Sequence, residues 1–147
     1  MEKKKVIDAL NRVLELELAG VVRYSHYSLM IFGYSRIPIV AWFRGVATES
    51  LSHAHAAGEY VTALGGHPSL KIGKLLETEK HHIEDILRES IEHEVSGVQM
   101  YRDLLALVEG KDVRLEEYAR DMIRDEENHI SEIEKMLRKP GELKPAT

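Results

Sequence analysis

The stretch Leu115-Glu116-Glu117-Tyr118-Ala119-Arg120-Asp121-Met122-Ile123-Arg124-Asp125-Glu126-Glu127-Asn128-His129-Ile130-Ser131-Glu132-Ile133-Glu134-Lys135-Met136 decides how this chain is read. Taken with spacings of four and three, it yields Leu115, Ala119, Met122, Glu126, His129, Ile133 and Met136. Such a spacing places all seven on one helix face, the a/d-type seam by which helices pack. The seam is apolar at both ends and carries a carboxylate and an imidazole in its middle. A plain solvated surface would scatter such groups among other polar residues, whereas here apolar side chains stand above and below them.

Three more seams of the same kind precede it. The first runs Val6, Leu10, Val13, Glu17, Gly20, Tyr24, Tyr27, Ile31. The second runs Ile39, Phe43, Val46, Ser50, His53, Ala57, Tyr60, Leu64, and the third Leu87, Ile91, Glu94, Val98, Tyr101, Leu105, Val108. Breaks at Gly33 to Pro38, Gly65-Gly66-His67-Pro68, Gly110 to Asp112 and Pro140-Gly141 delimit helices over roughly 3–33, 38–64, 75–109 and 113–138. Asp112 is placed to cap the fourth. Gly65 to about Lys74 is the longest connection, and a long connection can cross a bundle. The expected fold is all-α, an antiparallel four-helix bundle with a long crossover between helices 2 and 3. One domain is expected over residues 1–139, with a loose tail over 140–147.

The halves form a weak internal repeat. Glu17, Tyr24, Ser50 and His53 in one half answer to Glu94, Tyr101, Glu126 and His129 in the other. Buried carboxylates must protonate, pair, or bind a cation. No Lys or Arg lies on the four seams, so a metal is the remaining counter-charge. The chain has no Cys, which excludes disulfides, thiolate zinc and iron–sulfur clusters, and leaves only His and carboxylates as ligands. That donor set suits iron, manganese or zinc.

A net charge of −5 argues against nucleic acid as a partner. The longest apolar run, near Ile37 to Phe43, is too short to span a membrane. The start, Met1-Glu2-Lys3-Lys4-Lys5, opens an amphipathic segment rather than an apolar leader, so a cytoplasmic location is expected.

Specific stretches carry a resemblance: Glu17-Leu18-Ala19 with Tyr24; Ser52-His53-Ala54 running to Ala63-Leu64-Gly65-Gly66-His67-Pro68; Glu94 with Ser96-Gly97; and Arg124-Asp125-Glu126-Glu127-Asn128-His129-Ile130. Over about residues 8 to 138 the chain resembles the ferritin-like superfamily, most closely the bacterioferritins, with rubrerythrins as cousins. By position, the resemblance implies metal ligands Glu17, His53, Glu94, Glu126 and His129. Glu126 would bridge two metals, with Glu17 and His53 on one and Glu94 and His129 on the other. It further implies a protein that oxidises Fe(II) with O2 or H2O2, for storage or detoxification, at a di-iron or single non-haem iron site. Tyr24 would be a redox or ligand-supporting residue there, while its alternative role is simple core packing.

The departures are as informative. Ser50 stands where the family has its other bridging Glu, leaving two divalent ions short by about one charge. Glu49, on one face with His53, is the candidate substitute, although it would have to reach about 100° around the helix. Leu51 stands at the family's haem-ligating Met, so haem is not expected. The family's short fifth helix has no counterpart in Pro140 to Thr147, so of the homo-oligomers implied, a dimer is expected more readily than a cage. Without Cys, a rubredoxin-bearing relative is excluded. Two other readings stand beside the iron oxidase: a binding or assembly protein with an incomplete metal centre, and a di-iron oxidase of a small organic substrate.

Outside the seams, Glu77, Glu79, His81 and His82 form a polar group ahead of the third helix's core stretch, read as an iron-entry or surface metal site or a solvated helix start. Gly20, Gly58 and Gly97 lie mid-helix, where glycine is unfavourable by about 1 kcal/mol, so close helix approach is expected at them.

Overall fold

The computed structural model describes residues 1–146; Thr147, the last residue of the expected tail, lies outside them. Four helices and no strand occur among the described residues: α1 (Lys3–Met30), α2 (Arg36–Ala63), α3 (Ile83–Val108) and α4 (Val113–Leu137). None of them is long and apolar enough to cross a membrane.

In the first pair, α1 and α2 run antiparallel, since Tyr24 faces Phe43 while Glu17 faces His53. All eight residues of the α1 seam are buried, and no residue of the α2 seam is exposed. The turn between the helices is closed by Arg36, whose guanidinium donates to the carbonyls of Ile31 (2.8 Å) and Ser28 (3.3 Å). It thereby satisfies carbonyls that the end of α1 would leave without partners. Pro38 falls inside the first turn of α2 rather than before it. That position is tolerated because first-turn amides have no intrahelical acceptor. At Gly58 the expected close approach is absent: nothing lies within 4 Å of where a Cβ would stand.

The connection after α2 is longer than the pattern of apolar residues predicts. No helix forms over 75–82; residues 65–82 run as an extended strap along α1. It leaves α2 through Gly65, in the left-handed region at φ 82°, where glycine avoids the Cβ clash. Asn11 then holds it twice, donating to the His67 carbonyl (3.1 Å) and accepting from the Ser69 amide (2.9 Å). Next, the Gly73 amide donates to the Glu15 carbonyl at 2.7 Å. A Cβ on Gly73 would come within 3.1 Å of that same oxygen, so a side chain there would push the strap off α1 by a few tenths of an ångström. Arg23 reaches the Lys74 carbonyl (3.4 Å) and His26 the Glu77 carboxylate (3.2 Å). The partners ascend together, 11, 15, 23, 26 on the helix against 67–69, 73, 74, 77 on the strap. The strap therefore runs parallel to α1. Helical spacing at Leu75 and Leu76 is overridden by these longer-range bonds, and both leucines stay partly exposed, at 43% and 44%.

In the second pair, α3 and α4 are also antiparallel, with Tyr101 against Tyr118 and Glu94 against His129. The His82 ring accepts from the Glu84 amide at 3.2 Å and so starts α3. Asp112 caps α4 as its position predicts, accepting from the Leu115 amide at 3.0 Å. The segment after α4 folds back on it. Arg138 donates to the Leu143 carbonyl (3.0 Å), and the Ala146 amide donates to Glu134 (2.9 Å).

Candidate metal centre

Of the 25 acidic residues, three are buried: Glu17 at 4%, Glu94 at 2% and Glu126 at 5% exposure. They are the three that interrupt the seams. Among the described residues no Lys or Arg is buried. Helical spacing accounts for their depth, because each shares its face with residues that must be apolar to pack. The sequence buries a carboxylate as a consequence of its register.

On the first pair, the His53 Nδ1 stands 3.6 Å from Glu17 Oε1. On the second, His129 Nδ1 stands 3.7 Å from Glu94 Oε2 and 3.8 Å from Glu126 Oε2. Ligand atoms of Glu94, Glu126 and His129 all lie within 4.8 Å of one another. These separations exceed a hydrogen bond. They approach the roughly 3–3.5 Å between two ligands that each bind one ion at about 2.1 Å. The donor set of carboxylate oxygen and imidazole nitrogen fits a divalent cation such as iron, manganese or zinc.

The two pairs differ at one position. Ser50, 5% exposed, occupies the place on α2 that Glu126 occupies on α4. Its neighbour Glu49 is exposed. Tyr24 is fully buried, its ring 5.6 Å from Phe43 in a stack and 6.3 Å from Tyr27 edge-on. Seven residues beyond Glu17, it lies about 10 Å further along α1. Tyr101 is equally buried and meets Tyr118 edge-on at 6.0 Å.

With this geometry in view, comparison with known proteins is decisive about the family. The profile of the ferritin-like domain matches residues 7–141. The chain belongs to the ferritin-like family. Among solved structures, a ferritin-like diiron-carboxylate protein from Bacillus anthracis str. Ames is similar at a TM-score of 0.87 and 23% identity, covering 92% of this chain and 97% of that one. The ferritin-like chain thus has the all-α four-helix fold expected of it, with the long connection between α2 and α3 as its crossover. No curated protein matches it. A general iron-binding role follows from the family and fold together.

One further cluster was only half visible in the sequence. Glu77 and His81 on the strap are joined by His26 of α1, with ligand atoms within 4.8 Å of one another. His82 and Glu79 take other roles, the first capping α3 and the second adopting φ 58° in the turn that precedes it. No local spacing signals His26, which lies 51 residues before Glu77.

Proposed function

We propose that this chain binds ferrous iron through Glu17 and His53 on α1 and α2, and through Glu94, Glu126 and His129 on α3 and α4, and oxidises it with O2 or H2O2. Fe(II) is then a substrate, and the product is ferric iron held for storage or detoxification in the manner of a bacterioferritin. The observation that carries the reading is that the buried acids are those three glutamates, each within 4 Å of an imidazole. Iron supplies redox chemistry at such a site, and the protein supplies hard oxygen ligands and an apolar surround. Tyr24, buried among aromatic rings, is the residue proposed to donate an electron or support a ligand carboxylate. A cytoplasmic homo-oligomer belongs to the same proposal, a dimer being its simplest form.

Anaerobic Fe(II) titration followed by oxygen pulses tests it. Two irons per chain and rapid growth of ferric absorbance are expected. One iron or none, without oxidation, overturns it. Light scattering on the same sample separates a dimer from a cage.

A second reading has its own support. Ser50 is buried where a second bridging carboxylate would be, and Glu49 is exposed. A centre short of one negative charge favours a single ion, zinc or manganese included, and a binding or assembly role. If Glu49 does enter the ligand set, Glu49→Gln lowers iron stoichiometry or affinity; if it does not, that substitution leaves both unchanged.

A further inference from the structure

The strap is bound to α1 by hydrogen bonds at Asn11, Glu15 and Arg23, and at its far end by a group of a different kind. There, the two oxygens of Glu77 face two imidazole nitrogens. His26 Nε2 lies 3.2 Å from Oε2, and His81 Nε2 lies 4.0 Å from Oε1. The three side chains come from two separate elements, and each is about half exposed, at 45%, 51% and 39%. The carboxylate is held in place from below, because the Glu79 amide donates to Oε1 across a turn in which Glu79 adopts φ 58°. A non-glycine residue in that region is uncommon and is retained where surrounding contacts require it. The same bond, followed by the two imidazoles, keeps Glu77 below the usual carboxylate range and thus ionised at neutral pH.

Two imidazoles and one carboxylate, with an open side to solvent, form a recurrent donor set for zinc-type ions. Ligand atoms within 4.8 Å of one another on exposed side chains can close on an ion at about 2.0–2.2 Å without moving a helix.

We propose that His26, Glu77 and His81 form a second, surface site for a divalent first-row transition cation, which clamps the end of the crossover strap to α1. It shares no residue with the buried centre and does not depend on it. Occupancy adds a tether at the end of the strap, beside the exposed Leu75 and Leu76. The strap's order then becomes dependent on metal supply.

Co(II) is a suitable probe, because its visible absorption reports coordination directly. Three proteins are titrated: the unaltered chain, the His26→Gln/His81→Gln double variant, and Glu94→Gln/Glu126→Gln. The unaltered chain is expected to bind one more Co(II) than the histidine double variant. The glutamate double variant should keep the surface site, and histidine replacement should weaken binding there by well over 10-fold. Zn(II) should slow amide exchange over residues 74–82 in the unaltered and glutamate-variant proteins and leave it unchanged in the histidine variant. Equal stoichiometry in the unaltered and histidine-variant proteins, or no zinc effect on strap exchange, overturns the proposal. Failure of iron oxidation would bear only on the buried centre.

Discussion

The two helix pairs are built alike and charged differently. Each is an antiparallel pair with a buried glutamate on its first helix, a histidine facing it from its second, and a buried tyrosine one heptad on. On α4 the residue three before the histidine is Glu126; on α2 it is Ser50. One pair therefore holds two carboxylates around its imidazole and the other holds one. Since a buried carboxylate is tolerated only when protonated or neutralised, the proposed iron site is expected to bind more tightly on α3 and α4 than on α1 and α2. The two pairs share backbone and packing and differ in buried charge.

Removing the advantage of the richer pair has the largest expected effect. Glu126→Gln should weaken iron binding on α3 and α4 by more than the about 10–100-fold that follows loss of a group merely orienting a ligand. Without metal the same variant should be as stable as the parent or more so, because a buried carboxylate is replaced by a neutral amide of the same shape. Isothermal titration and thermal unfolding, run on one preparation, read both.

Restoring the poorer pair is the converse. Ser50→Glu should lower the melting temperature of the metal-free protein, because it adds a buried carboxylate. Saturating iron should then recover the loss, since a ligand that binds only the folded state stabilises it by mass action. Iron stoichiometry or oxidation rate should rise as well. Unchanged stoichiometry and rate would mean that Glu49 or another group already supplies the charge.

The tyrosines offer a smaller and sharper contrast. Tyr24→Phe and Tyr101→Phe each remove one hydroxyl and should change stability by about 1 kcal/mol, measured in denaturant. Oxidation of Fe(II) should slow in the Tyr24 variant and hold in the Tyr101 variant. Equal rates in both would assign Tyr24 to packing alone.

The smallest effect concerns the non-helical segment that each pair carries. The strap on α1 is held largely by neutral hydrogen bonds, whereas the tail on α4 depends on Glu134. That carboxyl is held below the usual range, first by the Arg138 guanidinium and also by the Ala146 amide. A lowered carboxyl contributes its stabilisation above its ordinary pKa and loses it as pH falls through the lowered one. Protection of the Ala146 amide, with exchange corrected for its intrinsic pH dependence, should therefore fall on acidification below the ordinary carboxylate range, while that of Gly73 should not follow Glu134.

The four seams were legible because helix packing needs a period and the chain supplies it. Every α1 seam residue is buried, and the three acids on the seams are the buried acids. Residues 75–82, where the spacing predicts helix, are extended for an equally physical reason. Their local spacing is compatible with one, but the strap that carries them is held at residues 67–74 by Asn11, Glu15 and Arg23 and at Glu77 by His26, all remote in sequence. Hydrogen bonds to those partners replaced the helical ones. His26 escaped notice as a candidate ligand on the same grounds, since no short motif joins it to Glu77 and His81.

By itself, then, the sequence determined the helices, the depth of Glu17, Glu94 and Glu126 on them, and the missing carboxylate at Ser50, because periodicity and residue chemistry are local properties. Only the tertiary structure decided the path of the strap and the meeting of His26 with Glu77 and His81. Those contacts depend on bringing distant residues within a few ångströms, and the energy that does so is spread over the whole packed face rather than written at either end.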